Sequence, residues 1–134
     1  MKLRAMVLAV AGAAIFALPA AAHHSFAMFD QTRIVMLEGT VSEFEWINPH
    51  SWLHFMAMGE NGQAQEFSIE LASVAQQTRI GWTADTVKAG DKVVVEYNPL
   101  KDGTRGGTLV RITLPDGRTL GHGGNPANPI GNNN

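Results

Sequence analysis

Apolar side chains recur at every second position over much of the chain after residue 33, the period of strands that bury one face. Between Arg33 and Ile47, Val35, Leu37, Gly39 and Val41 share one parity, whereas Phe44 and Trp46 fall on the other. This phase change predicts one long strand with a bulge or sharp bend near Gly39–Glu43. Asn48-Pro49 marks a turn, and His50 to Met58 reads as a second strand. Gly59-Glu60-Asn61-Gly62 is a hairpin signal. Gln63 to Leu71 then alternates, with Gln65, Phe67, Ile69 and Leu71 on the face expected to be buried. The alternation stops at Ala72. Leu71, Val74, Ala75 and Thr78 recur at helical spacing, Ser73 is suited to an N-cap and Gly81 to the residue after the last turn, so a short helix is predicted over 72–80. After a turn-rich connector, Thr83 to Asp91, Lys92–Asn98 and Thr108–Leu114 read as fourth and fifth strands around a Pro99–Gly107 loop.

Strand, strand, strand, short helix, strand, strand is the element order of an OB-like barrel, so the expected class is all-β: a five-stranded barrel with its helix between strands 3 and 4. An open β-meander or another small five-stranded barrel is compatible with the same order. His23 to Thr32 has no period and reads as an extended N-terminal arm. The barrel is expected over 33–120. From residue 121 to 134 the chain is a Gly/Asn/Pro tail with little to bury and is expected to be disordered.

The first 22 residues need separate treatment. Met1-Lys2-Leu3-Arg4 is basic, Ala5 to Ala22 is free of charge, and its apolar heart from Met6 to Leu18 is the length of a signal-peptide core rather than a bilayer span. Ala20-Ala21-Ala22 places the expected cut after Ala22. Cleavage would leave 112 of 134 residues and remove Lys2 and Arg4, so eight basic side chains would face twelve acidic ones, about −4 in all. An acidic exported chain is a poor match for nucleic acid. There are no cysteines, hence neither disulfides nor a lipid-attachment site after the cut. A periplasmic monomer or weak oligomer, with no membrane span after processing, is the expectation.

The stretches LEGTVSEFEWINPHSWLHF, FSIELASV, RIGWTADTVKAGDKVVVEYNPLKDG and RITLPDG, after an arm beginning HHSF, resemble the DUF6152 family of small exported bacterial proteins of unknown function. Asn48-Pro49-His50 and Gly81-Trp82 are the most specific elements of the resemblance. It implies export and an OB-like β-protein, and it assigns no activity.

Histidine is the unusual chemical feature. Four of the five histidines, His23, His24, His50 and His54, lie early in the mature chain. Cleavage after Ala22 would make His23 the first residue, and its α-amine and imidazole can chelate one ion together. A third imidazole would complete a nitrogen-rich set suited to Cu(II). If Ala22 were retained, His24 would be the third residue, and an amine, two amides and its imidazole would form a square-planar site for Cu(II) or Ni(II). His50 and His54 share a strand face but are about 13 Å apart on an extended chain, so at most one can join such a site. His50, beside the Asn48-Pro49 turn, is the better candidate. The metal-site residues expected from sequence are therefore His23, His24 and His50, with copper the implied cofactor. His54, mid-strand among apolar neighbours, fits a hydrogen-bonded, half-buried role, and Met56 and Met58 fit packing.

A second candidate is a ligand- or partner-binding face. OB barrels bind on strands 2 and 3 and on the loops after strands 1 and 4. Trp46, Asn48, Trp52 and His54, with Lys101 and Arg105 of the later loop, form that candidate face, suited to a saccharide, a peptide or a partner protein. The competing reading is that Phe44, Trp46, Trp52 and Phe55 belong to the core and Trp82 plugs the barrel. No catalytic residue is expected: the chain has no cysteine nucleophile, Gly-x-Ser-x-Gly elbow, phosphate-binding glycine loop or His-Glu-x-x-His pair. Glu43, Glu45, Glu66 and Glu70 pair on common strand faces and read as solvated surface.

Overall fold

The computed structural model describes residues 26–122. The expected signal peptide, its cleavage site, His23 and His24 lie outside the described residues, as does the tail from 123 onward. Among the described residues six strands, β1 (Val35–Glu45), β2 (Trp52–Met58), β3 (Ala64–Glu70), β4 (Lys92–Pro99), β5 (Gly106–Thr113) and β6 (Thr119–Gly121), accompany one helix, α1 (Val74–Arg79), between β3 and β4. Antiparallel pairings join β3 to β2, β2 to β1, β1 to β4 and β4 to β5. A short parallel pairing of β3 with β5, Ser68–Glu70 against Gly106–Thr108, then closes the ring. The result is the predicted five-stranded barrel, with β6 added outside the ring.

β1 reaches both neighbours because it bends. Val41 pairs with Phe55 but Glu43 pairs with His54, so Ser42 is an extra residue. That bulge resets the parity, which is why Val41 and Phe44 both turn inward although they differ in parity. Leu53 and Phe55 of β2, Phe67 and Ile69 of β3, Val95 of β4 and Leu109 and Ile112 of β5 fill the interior. The alternate residues of β2 and β3, including Trp52, His54, Ser68 and Glu70, form the outer face.

The helix is short but well defined at both ends. Ser73 caps it by accepting from the Gln76 backbone N–H, and the Gln76 side chain accepts from the Ser73 backbone N–H, a reciprocal capping box. Gly81, at φ +96°, turns the chain out of the last turn. The buried helix residue is Gln77, not the Val74–Ala75–Thr78 stripe that periodicity suggested. Gln77 donates through Nε2 to the Ala72 carbonyl at 2.7 Å. One turn later Trp82, fully buried, fills the end of the barrel against Phe44.

The chain ends differ from the expectation. β6 pairs with β5 through Arg111–Gly121, Ile112–Leu120 and Thr113–Thr119. Gly121 and His122 are therefore ordered, although sequence placed them in the tail. The type of signal needed, two apolar residues in alternation, is absent from so short a strand. At the other end Phe29 is buried and bridges Leu100, Asp30 donates to the Pro99 carbonyl, and Lys101 donates through its backbone N–H to Met28 and through Nζ to Ala27. The arm from residue 26 is thus tied to the β4–β5 loop.

Candidate functional site

On one edge of β5, β3 pairs as far as Thr108 and β6 begins at Arg111. Glu70 and Gly121 are therefore three β5 residues apart along a shared edge, and His122, next after Gly121, enters the seam between β3 and β6. The β1–β2 connection delivers His50 to the same place. The Leu71 N–H donates to the Ser51 carbonyl and the Ser51 N–H to the Ala72 carbonyl, which binds that connection to the end of β3. Asn48 accepts through Oδ1 from the Val74 N–H at 3.1 Å, fastening the turn, whose Asn48–Pro49 peptide is cis, to the helix start.

His50 Nδ1 lies 3.1 Å from Glu70 Oε1 and 3.1 Å from the Leu71 carbonyl oxygen. A carbonyl can only accept, so Nδ1 carries the hydrogen and the neutral ring keeps its lone pair on Nε2. Metal-binding histidines are commonly held this way, one nitrogen donating to a carboxylate or carbonyl while the other ligates. The side chains of His50 and Glu70 are 40% and 13% exposed, so the carboxylate is the more buried partner. Burial pushes the Glu70 carboxyl up from the usual range, and the charge of His50 opposes it.

His122 is only 4% exposed. Its ring meets Phe26 edge-on, with centroids 6.3 Å apart. Burial pulls its pKa down to about 4, with the nearby His50 charge a second cause. The imidazole is therefore neutral at neutral pH, the form that ligates metals. Among the described residues no three His, Asp or Glu side chains are gathered closely enough to hold a metal ion by themselves. His50 and His122, 72 positions apart in the sequence, lie near enough for the charge of one to act on the other, and a metal site there would need further donors from elsewhere.

His54 is placed differently. Nδ1 lies 2.9 Å from Ser68 Oγ and Nε2 2.8 Å from Glu45 Oε1, so both ring nitrogens are engaged across three strands. A carboxylate, an imidazole and a hydroxyl in line can activate the hydroxyl. Here they lie on the outer sheet face, outside the two cavities lined by β1 with its neighbours and by the β4–β5 loop. The arrangement is a cross-strand ladder beside the seam, one row from Glu70.

The remaining sequence candidates are scattered. Trp46 is half-buried and packs on Phe44 with centroids 5.7 Å apart, as part of the core margin. Trp52 is half-buried on the outer face between Glu45 and Glu70 in the register. Lys101 holds the arm, and Arg105 donates to the Glu66 carbonyl at 3.4 Å. Asn48 is committed to the helix. His50, the one metal candidate among the described residues, has His122 near enough to act on electrostatically. The residues that sequence missed are His122 and Glu70. His122 lies 72 positions from His50, inside a Gly/Asn-rich context, and Glu70 reads as one of several surface carboxylates.

The sequence profile of a family of unknown function, DUF6152, matches residues 10–110. No curated protein and no solved structure gives a significant match. With three-quarters of its length covered by that profile, the chain belongs to the DUF6152 family.

Proposed function

We propose that this is an exported, small β-barrel binding protein that holds one transition-metal ion, copper by its chemistry, at the seam between β3 and β6. His50 and His122 supply two imidazoles, and His23, with its α-amine, or His24 supplies the rest. The observation that carries this reading is the contact of Phe26 with His122. It brings the described start of the arm onto the buried histidine. His24 is two residues before Phe26 and His23 three, and each residue extends the chain by at most ~3.6 Å, so either can reach the seam. Imidazole and amine nitrogens favour Cu(II) over the other divalent ions of the first row. Glu70, accepting from His50, fixes the tautomer that presents Nε2.

A face-binding role draws less support. Asn48 is occupied by the helix, Trp46 by the core and His54 by Glu45 and Ser68. The test is titration of the processed protein with Cu(II), followed by calorimetry. One equivalent should bind, and His50→Ala, His122→Ala or one residue added before His23 should each weaken it at least tenfold. Several weak equivalents that ignore all three changes would refute the proposal.

A further inference from the structure

The two ends of the barrel are not alike. Near the end of β1, Phe44 packs on Trp82, and the interior is closed. At its start, β1 pairs with β4 from Val35 but with β2 only from Gly39. The first residues of β1 therefore lack a β2 neighbour, and a cavity of about 410 Å³ opens between them, the β2–β3 turn and the β4–β5 loop. Val35, Leu37 and Phe67 line it with apolar surface, and Tyr97 adds a buried ring beside Phe67.

Its rim is charged. Arg33 precedes β1, Arg105 precedes β5, and Glu60 comes from the β2–β3 turn. Arg33 and Glu60 both act on the Tyr97 phenol electrostatically, which places the two charges at the mouth. Neither arginine is in an ion pair among the described residues, and Arg105 uses only Nε, to the Glu66 carbonyl. Two arginines and one glutamate thus line a cavity whose surface is part apolar, from Val35, Leu37 and Phe67, and part polar.

We infer that this mouth is a second binding site, for a small amphipathic anion whose apolar body enters the barrel and whose carboxylate or equivalent head meets Arg33 and Arg105. The volume falls in the range of small-molecule sites, and a lining in which apolar side chains lie beside polar groups offers both contacts that an amphipathic ligand needs. Guanidinium groups recognise planar carboxylates through paired N–H bonds, which a neutral head cannot match. The site shares no residue with the seam, so it stands or falls apart from metal binding.

Tyr97 is the only tyrosine, which provides a local reporter. Metal-free protein carrying 13C-labelled tyrosine is titrated with decanoate and, separately, with decanol. Decanoate should shift the Tyr97 ring signals saturably and bind at least tenfold more tightly than decanol. The double variant Arg33→Ala/Arg105→Ala, altered only at exposed positions, should lose that advantage while keeping the wild-type thermal transition. Absence of a saturable shift with millimolar decanoate would overturn the inference. So would equal binding of decanol, or unchanged decanoate affinity in the double variant.

Discussion

Replacing Trp82 with phenylalanine probes the link between the barrel core and the seam. The indole is fully buried, packs on Phe44 and donates through Nε1 to the Gly121 carbonyl at 3.0 Å. That bond fixes the residue immediately before His122. Phenylalanine leaves roughly 40 Å³ unfilled, which costs about 1 kcal/mol at ~24 cal/mol per Å³. It also removes the donor to the Gly121 carbonyl, at a further ~1–3 kcal/mol. A total of about 2–4 kcal/mol is expected, read as a lower urea midpoint with an unchanged slope. Amide hydrogen exchange adds the local test. Leu120–His122 should lose protection in Trp82→Phe, whereas Phe55→Leu, a change in the core away from β6, should lower global stability without opening that segment selectively. A cost below about 1 kcal/mol together with unaltered exchange at 120–122 would refute the idea that Trp82 holds the seam.

Other consequences concern closure, the loop latch and pH. A Cβ on Gly107 would collide with the Asn98 carbonyl and come within 2.7 Å of the Tyr97 ring, so Gly107→Ala should cost about 3 kcal/mol or more in urea unfolding. Asn48→Ala removes the acceptor for the Val74 N–H and should cost about 1 kcal/mol by thermal denaturation, with no loss of barrel circular dichroism. Burial first, and then Glu60, raise the Tyr97 pKa above its ordinary 10.0, with Arg33 opposing them. The native state therefore favours the neutral phenol: this stability is present below pH 10 and is lost as pH rises through the native pKa. Ultraviolet titration of this single tyrosine should give a midpoint above 10, lowered by Glu60→Gln; a midpoint at or below 10 would contradict the assignment.

The barrel was legible because its elements obey local rules. The parity switch at Val41–Phe44 announced the bulge at Ser42, Ser73 and Gly81 announced the ends of α1, and the strand order announced closure. β6 escaped because three residues, Thr119–Gly121, carry too little periodicity, and it forms only because β5 offers a free edge beyond Thr108. Gln77 escaped because a buried amide mimics a surface residue until its partner, the Ala72 carbonyl, is known. The candidate site was half legible. His50 stood out by its place beside the Asn48-Pro49 turn, but Glu70 and His122 acquire meaning only through the long-range pairing that sets Glu70 against His50 and His122 within its electrostatic reach. Spacing along the chain contains no trace of that convergence.

The most direct test of the metal-site account is pulsed electron paramagnetic resonance on the one-to-one Cu(II) complex of the processed protein, comparing wild type with His122→Gln. The nitrogen modulation reports imidazoles bound to copper through one ring nitrogen. Wild type should show several, and His122→Gln should show one fewer, with the remainder unchanged. Identical spectra from the two proteins would mean that copper sits on the arm alone, and the seam between β3 and β6 would not be its site.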